Sequence, residues 1–332
     1  MSSAGSGSVV VHVVGGADAS DDPSSVELAS WGRQLLERSL SAPLRDDRFD
    51  GDWPPGDLVA AVALVDDRPV GYLGGAVDRG RFQLNGLIDE GTAIGVEPAE
   101  VAHDDAGDPD PASSDEVADR LFAAIQARVE ASGAEAVELW GTPARPWHRR
   151  LAERNGLVEA RALHQLRCAL PIDVGVEPVA SRPFRLGHDE DALIRVNNRA
   201  FAAHPDQGGM TRERIAAEAA KPWFDQDGIR LLDDPGQPGV LAGFCWTKIH
   251  QPTAAGEPPL GEIYAIGIDP DHHGTGLGAP MTAAGLAWLA EQGLTTGMLY
   301  VEADNEPALR TYHRLGYRHH RTDRAWRRLR RS

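Results

Sequence analysis

The segment IGIDPDHHGTGLGAPM, residues 266–281, concentrates the means to hold an anion. Gly274, Gly276 and Gly278 alternate between Pro270, which closes an apolar stretch, and an apolar run opening at Met281. Glycines lack a Cβ, so the backbone can curl closely around phosphate oxygens. The N–H groups of such a turn, and of a helix starting near Gly278, point at the anion, and the helix dipole favours negative charge there. By itself a G-x-G-x-G pattern is equally the mark of a tight turn. Its meaning depends on the elements around it.

Those elements repeat. In the first half, residues 24–40 carry apolar positions at helical spacing (Val26, Leu28, Trp31, Leu35, Leu36). Residues 58–77 form two apolar runs about Asp66-Asp67-Arg68-Pro69, a hairpin pattern. A strand at 92–96 ends at Pro98, a helix is expected over 117–131 and a short strand over 136–140. The second half follows the same order. A helix is expected over 189–202, a strand pair over 229–232 and 240–249, and a strand over 262–268 closed by Pro270. A helix over 281–292 and a strand over 298–302 complete it. IGVEP at 94–98 mirrors IGIDP at 266–270, and Trp140 precedes Gly156 by the 16 residues that separate Tyr300 from Gly316. An internal duplication is the simplest account. The expected fold is α/β (α+β) with a mixed central sheet, in two domains, residues 1–172 and 183–332, joined by the proline-containing stretch 171–183.

With 332 residues the chain can build two cores. The net charge of −17 argues against a nucleic-acid partner. The charge is unevenly spread: residues 1–180 hold 15 Arg against 31 Asp and Glu, a balance of −16. Residues 181–332 hold 18 Lys and Arg against 19 acidic residues, a balance of −1, so an anionic cofactor should prefer the second half. No apolar run is long enough to span a bilayer, and the first residues, MSSAGSGS, carry no basic residue of the kind that opens a secretory signal. The two cysteines, Cys168 and Cys245, lack metal-ligand spacing. A cytoplasmic monomer without metal or membrane partner is the expectation.

The glycine segment resembles the acyl-CoA-binding motif of the GNAT superfamily, in which a strand ending V-x-P leads to [RQ]-x-x-G-x-[GA] and a helix. Here Ile268-Asp269-Pro270 is followed by His273-Gly274-Thr275-Gly276-Leu277-Gly278, with His273 in the usual Arg or Gln position. A second block, YVEADNEPALRTYHRLGY at 300–317, resembles the family's N-x-x-A-x-x-x-Y-x-x-x-G-[FY] through Asn305, Ala308, Tyr312, Gly316 and Tyr317. The resemblance implies two tandem GNAT domains. It implies that Ile266, Gly267, Ile268, His273, Gly274, Thr275, Gly276, Leu277, Gly278, Ala279, Tyr300, Asn305, Glu306, Pro307, Ala308, Leu309 and Arg310 hold acetyl-CoA. The first half lacks the glycine cradle after 94–98 and carries Asp104, Asp105, Asp108, Asp110, Asp115 and Glu116 instead. Carboxylates repel a pyrophosphate, and Ala152 stands where Tyr312 would be expected. The first domain reads as a degenerate copy with no acetyl-CoA loop.

Acetyl transfer to an amine needs a base, a stabilised oxyanion and a proton for the leaving thiolate. Glu262, at the start of the strand leading into the motif, is the candidate base, and Tyr312 the candidate proton donor; each is otherwise an ordinary strand-end carboxylate or packed aromatic. Backbone N–H groups of residues 266–268 are candidate oxyanion donors. More narrowly, the second half resembles the mycothiol synthases, actinobacterial enzymes of two fused GNAT domains. RVNNRAFAAHPDQGG at 195–209, KPWFDQDGIRL at 221–231, GFCWTKIH at 243–250 and GEIYAIGIDP at 261–270 carry that likeness. In the first half only SAPLRD, 41–46, does so. The resemblance implies acetylation of the cysteinyl amine of cysteinyl-glucosaminyl-inositol, a small amino-sugar substrate, with Asp46, Asp206, Lys248 and Glu262 contacting it. A tandem GNAT enzyme for another amine, an aminoglycoside or a peptide, and a non-catalytic acyl-CoA-binding protein are the alternatives.

Overall fold

The computed structural model describes residues 9–14, 59–65, 68–78, 80–88, 111–202, 207–252 and 258–330. The helix expected over 24–40 and the strand expected over 92–96 lie outside them. The chain divides into two compact units, residues 1–163 with 321–332, and residues 164–320.

In the first unit β1 (Val9–Val14), β2 (Val59–Val65), β3 (Arg68–Asp78) and β4 (Arg81–Ile88) are successive antiparallel neighbours. The expected hairpin is β2–β3, with Val65 opposite Arg68. β4 then pairs in parallel with β5 (Ala136–Gly141). Parallel pairing needs a crossover, which α1 (Pro111–Ala131) supplies, burying Val117, Leu121, Phe122, Ile125 and Val129 against the sheet. After β5 come α2 (Pro146–Arg154) and β6 (Val158–Ala169).

The second unit repeats this plan. β7 (Arg182–Pro183), β8 (Ile229–Asp233), β9 (Leu241–His250) and β10 (Leu260–Ile268) are antiparallel neighbours, with α3 (Glu190–Ala200) and α4 (Arg212–Ala219) between β7 and β8. β10 pairs in parallel with β11 (Thr296–Glu302) through the crossover helix α5 (Gly278–Glu291), and α6 (Glu306–Arg314) and β12 (Arg318–Leu329) follow. β9 reads LAGFCWTKIH, with its first eight residues buried, because helices cover both of its faces. α5 lies close on it: a Cβ at Gly285 would stand 2.4 Å from the Cys245 Sγ, so only glycine permits the approach. On the opposite face Phe184, Leu193, Val196, Ile215, Phe244 and Trp246 form the core under α3 and α4.

β5 and β11, α2 and α6, and β6 and β12 each begin 160 residues apart. These three pairs keep the spacing of a duplication, but the last strands trade places. The first unit's sheet runs β1-β2-β3-β4-β5-β12, and the second runs β7-β8-β9-β10-β11-β6. The boundary consequently falls at Leu163 and His164 instead of within 171–183. That stretch is not a free linker. Ile172, Val176 and Val179 pack on the second core, and the Val179 N–H donates to the Pro280 carbonyl at 3.2 Å. Its apolar residues bind it to the unit.

Candidate active site

β10 changes character halfway along. Its parallel pairing with β11 covers Gly261 with Gly297, Glu262 with Met298 and Ile263 with Leu299, while β10 runs on to Ile268 and β11 to Glu302. At the same point the register with β9 shifts between Ile263 and Ala265. This is a bulge: Tyr264 and Ala265 both pack on the α3 side, whereas Ile263 and Ile266 pack on the α5 side. Beyond it the two parallel strands part.

A cleft of about 570 Å³ opens there. Ile266, Gly267 and Ile268 of β10 form one wall, and His273, Gly274, Gly276, Leu277 and Gly278 of the glycine loop form its floor. Asn305, Pro307, Ala308, Thr311 and Tyr312, at and along α6, face them, with Ala200 and Phe201 closing the end of α3. Two separate sequence blocks therefore meet in one place.

The loop has the form an anion requires. Gly274 and Gly276 adopt φ of +74° and +83°, which L side chains rarely tolerate, and a Cβ on either would meet nothing within 4 Å. They are glycine for backbone conformation and an open approach, not for packing. The N-cap of α5, Leu277, offers no side-chain cap, and the helix's first turn has no acidic residue, which leaves its N-terminus suited to negative charge. The cradle has the form that a phosphate or pyrophosphate group requires. The His273 ring lies 3.0 Å from the Ile268 carbonyl through Nε2, tying the loop back to β10.

Asp269 anchors the loop. It is buried, caps the following turn through the Asp271 N–H at 3.0 Å, and receives Arg199 of α3 at 2.8 and 3.0 Å. Burial pushes its carboxyl up, but the hydrogen bonds and charge of Arg199 outweigh that and hold it below the ordinary range. Arg199 was not singled out from the sequence. Its signal was a basic residue on the last turn of a helix, and its partner is 70 residues away.

Tyr312 lines the cleft with its ring 5.8 Å from that of Tyr317. Burial, with Cys245 nearby, pushes its phenol well above the ordinary value, so the hydroxyl keeps its proton. Asn305 accepts from the Ala308 N–H at 3.2 Å and so caps α6 as well as lining the cleft. Thr275, Ala279, Glu306, Leu309 and Arg310 belong to the same loop and helices without lining the cleft. Glu306 and Arg310 pair with each other at 3.2 Å in solvent. Tyr300 of β11 receives the Gln165 side-chain amide at 2.6 Å.

Glu262 lies just before the bulge, where β10 is still paired on both sides, and is buried. It is not among the residues lining the cleft. Its Oε2 is 2.7 Å from the Nε2 of His250. Lys248, also buried, lies opposite Glu262 in the β9–β10 register, its ammonium 4.6 Å from the Trp223 ring centre and 5.9 Å from that of Tyr264. Asp46 and Asp206 lie outside the described residues. Among the described residues no group of three or more His, Cys, Asp or Glu is placed to hold a metal, and no helix is long and apolar enough to cross a membrane.

Parted parallel strands, a bulge, and a glycine loop feeding a helix N-terminus define a GNAT fold, present in tandem. The Acetyltransferase (GNAT) family model matches residues 194–317. A GCN5-related N-acetyltransferase from Sphaerobacter thermophilus superposes with a TM-score of 0.65 at 17% identity, covering 97% of this chain and 95% of that one. A tandem GNAT protein from the clavulanic acid biosynthesis pathway gives 0.60 at 16%, covering 97% and 98%. These show the fold. The mycothiol acetyltransferase of Kocuria rhizophila is 42% identical over 201 residues, 58% of this chain and 66% of the relative. That of Rhodococcus jostii is 41% identical over 207 residues, 61% of this chain and 68% of the relative. The chain belongs to the mycothiol acetyltransferase family. The match spans about two thirds of the length of these curated relatives.

Proposed function

We propose that the second unit transfers an acetyl group from acetyl-CoA to the cysteinyl amine of cysteinyl-glucosaminyl-inositol, giving mycothiol and CoA. The observation that carries this reading is the cleft, where a positive-φ glycine loop and the proton-bearing Tyr312 meet across parted strands in a chain of this family. The loop residues His273, Gly274, Thr275, Gly276, Leu277, Gly278 and Ala279, with Ile266, Gly267 and Ile268, hold acetyl-CoA on one side. Tyr300 and Asn305, Glu306, Pro307, Ala308, Leu309 and Arg310 hold it on the other.

Bound acetyl-CoA supplies an acyl carbon for attack by the amine and a thiolate that departs. Glu262 takes the proton from the acceptor ammonium, directly or through a water. The N–H groups of residues 266–268 on the parted edge of β10 bear the charge that gathers on the acyl oxygen. Tyr312 holds its proton at Oη for the leaving sulfur. Asp46, Asp206, Lys248 and Glu262 bind the acceptor. The first unit, with carboxylates where the second has its glycine loop, contributes no second acetyl-CoA site, and calorimetry is expected to give one equivalent per chain.

The test is thiol release from acetyl-CoA with cysteinyl-glucosaminyl-inositol beside a panel of aminoglycosides and peptide amines. Selective turnover of the cysteinyl sugar supports the reading. Preference for another amine would discard the substrate but leave the chemistry, and acetyl-CoA binding with no transfer to any amine would leave only a binding protein.

A further inference from the structure

Glu262 and His250 form a contact that the proposed reaction does not yet use. Their side chains are each only 10% exposed and meet at 2.7 Å. The β9–β10 register sets Lys248 across from Glu262 and His250 across from Leu260. The contact is therefore diagonal, between neighbours two positions apart on one face of an antiparallel pair. His250 is the last residue of β9, and its ring reaches along the sheet to Glu262. A carboxylate working as a base can only accept hydrogen bonds, so at Oε2 His250 is the donor, through its Nε2–H.

We infer that His250 is the positioning residue for Glu262, which it holds by one oxygen so that the other, Oε1, is presented to the acceptor amine. This inference rests on the proposed acetyl transfer. A base gains from a third group that fixes its orientation, because a misplaced base loses rate even when its chemistry is intact. Glu262 needs such a fixture. It sits one position before Ile263, the last residue of β10 paired on both sides ahead of the bulge, and its other cross-strand neighbour, Lys248, lies over the Trp223 ring. His250, like Glu262, is not among the residues lining the cleft, and its side chain meets that of Glu262. Glu262 takes the ammonium proton and the amine lone pair forms the new bond. His250 keeps its own proton throughout.

The experiment compares His250→Ala and His250→Gln, each alone and combined with Glu262→Gln, in the full chain with cysteinyl-glucosaminyl-inositol as acceptor. His250→Ala is expected to lower kcat on the order of 10²-fold, with acetyl-CoA affinity by calorimetry unchanged. His250→Gln places an amide N–H near the position of the imidazole Nε2–H and is expected to recover most of the loss. In the Glu262→Gln background His250→Ala should remove little more, because residues acting as a unit are not additive.

Three results would overturn the inference: a His250→Ala enzyme within about twofold of the parent, a His250→Gln enzyme as poor as His250→Ala, or an undiminished effect of His250→Ala after Glu262→Gln. The second of these would make His250 a proton carrier in its own right. Absence of turnover by the unsubstituted chain is a different failure, which overturns the functional reading and this role together.

Discussion

Arg199, one residue from the end of α3, grips Asp269 at the mouth of the glycine loop with two hydrogen bonds and also reaches Asp271 at 2.8 Å. Two carboxylates beside an anion cradle would repel its ligand, and Arg199 offsets both. Asp269→Asn keeps the shape and the turn but loses the charge that draws Arg199 in. It is expected to weaken acetyl-CoA binding about tenfold by calorimetry at neutral pH, the size of one charged hydrogen bond. The sign with pH follows from the lowered carboxyl. The fastening stabilises the fold above the ordinary aspartate range and is lost as pH falls through the folded value. Thermal unfolding of Asp269→Asn should therefore change less than that of the parent on acidification. An equal acid dependence would show that the pair contributes nothing to folding.

Tyr312→Phe removes only a hydroxyl from a ring packed against Tyr317. The fold and acetyl-CoA affinity should stand, while kcat falls about 10²-fold or more, the usual range for loss of a general acid. Because burial holds the phenol protonated, the parent's alkaline limb should show no Tyr312 ionisation within the range of ordinary assays. Folding stability is instead expected to decline once pH passes the free phenol value of about 10, since only the unfolded chain can then release that proton. A Tyr312→Phe variant with parental kcat would end its candidacy.

Most of the second unit was readable because its elements carry their own signals. The apolar run of β9, Pro270 after β10 and the glycines before α5 fix where each begins or stops. β12, which joins the first unit's sheet, was not: RHHRTDRAWRRL is rich in charge without an apolar alternation, and its burial comes from that sheet. Nor could local patterns show that β6 and β12 exchange places, because strands duplicated at one spacing carry equivalent signals for either partner. The cleft residues were legible as two motifs, while the contacts that fasten them, Arg199 to Asp269 and His250 to Glu262, join positions from different elements and appear only once the register is known.

Gly276 and Gly278 separate two reasons for a glycine. Gly276 has a φ of +83°, whereas Gly278 has ordinary backbone and open space around its Cβ position. Gly276→Ala should cost about 1–2 kcal/mol of stability through left-handed strain, and Gly278→Ala less than about 0.5 kcal/mol. Both are expected to weaken acetyl-CoA binding, because each puts a methyl group in the anion cradle. Urea unfolding and calorimetry on the two variants check this. Equal stability losses would contradict the assignment of Gly276 to conformation.

His148 of α2 offers a test of the first unit's core. Burial lowers its pKa to about 3, and the ring accepts from the Arg145 N–H at Nδ1 over 3.1 Å and stacks at 3.6 Å on Trp147. The folded chain therefore keeps the imidazole neutral while the unfolded chain takes a proton below about pH 6.5. Stability must fall as pH drops through that value and continue falling until the folded imidazole itself titrates. Between pH 7 and pH 5 this one group should remove about 2 kcal/mol from the unfolding free energy of the first unit. His148→Asn keeps an acceptor for the Arg145 N–H but does not titrate, so its urea midpoint should shift less over the same interval. If parent and variant lose stability in parallel, the acid sensitivity of this unit arises from its carboxylates and not from His148.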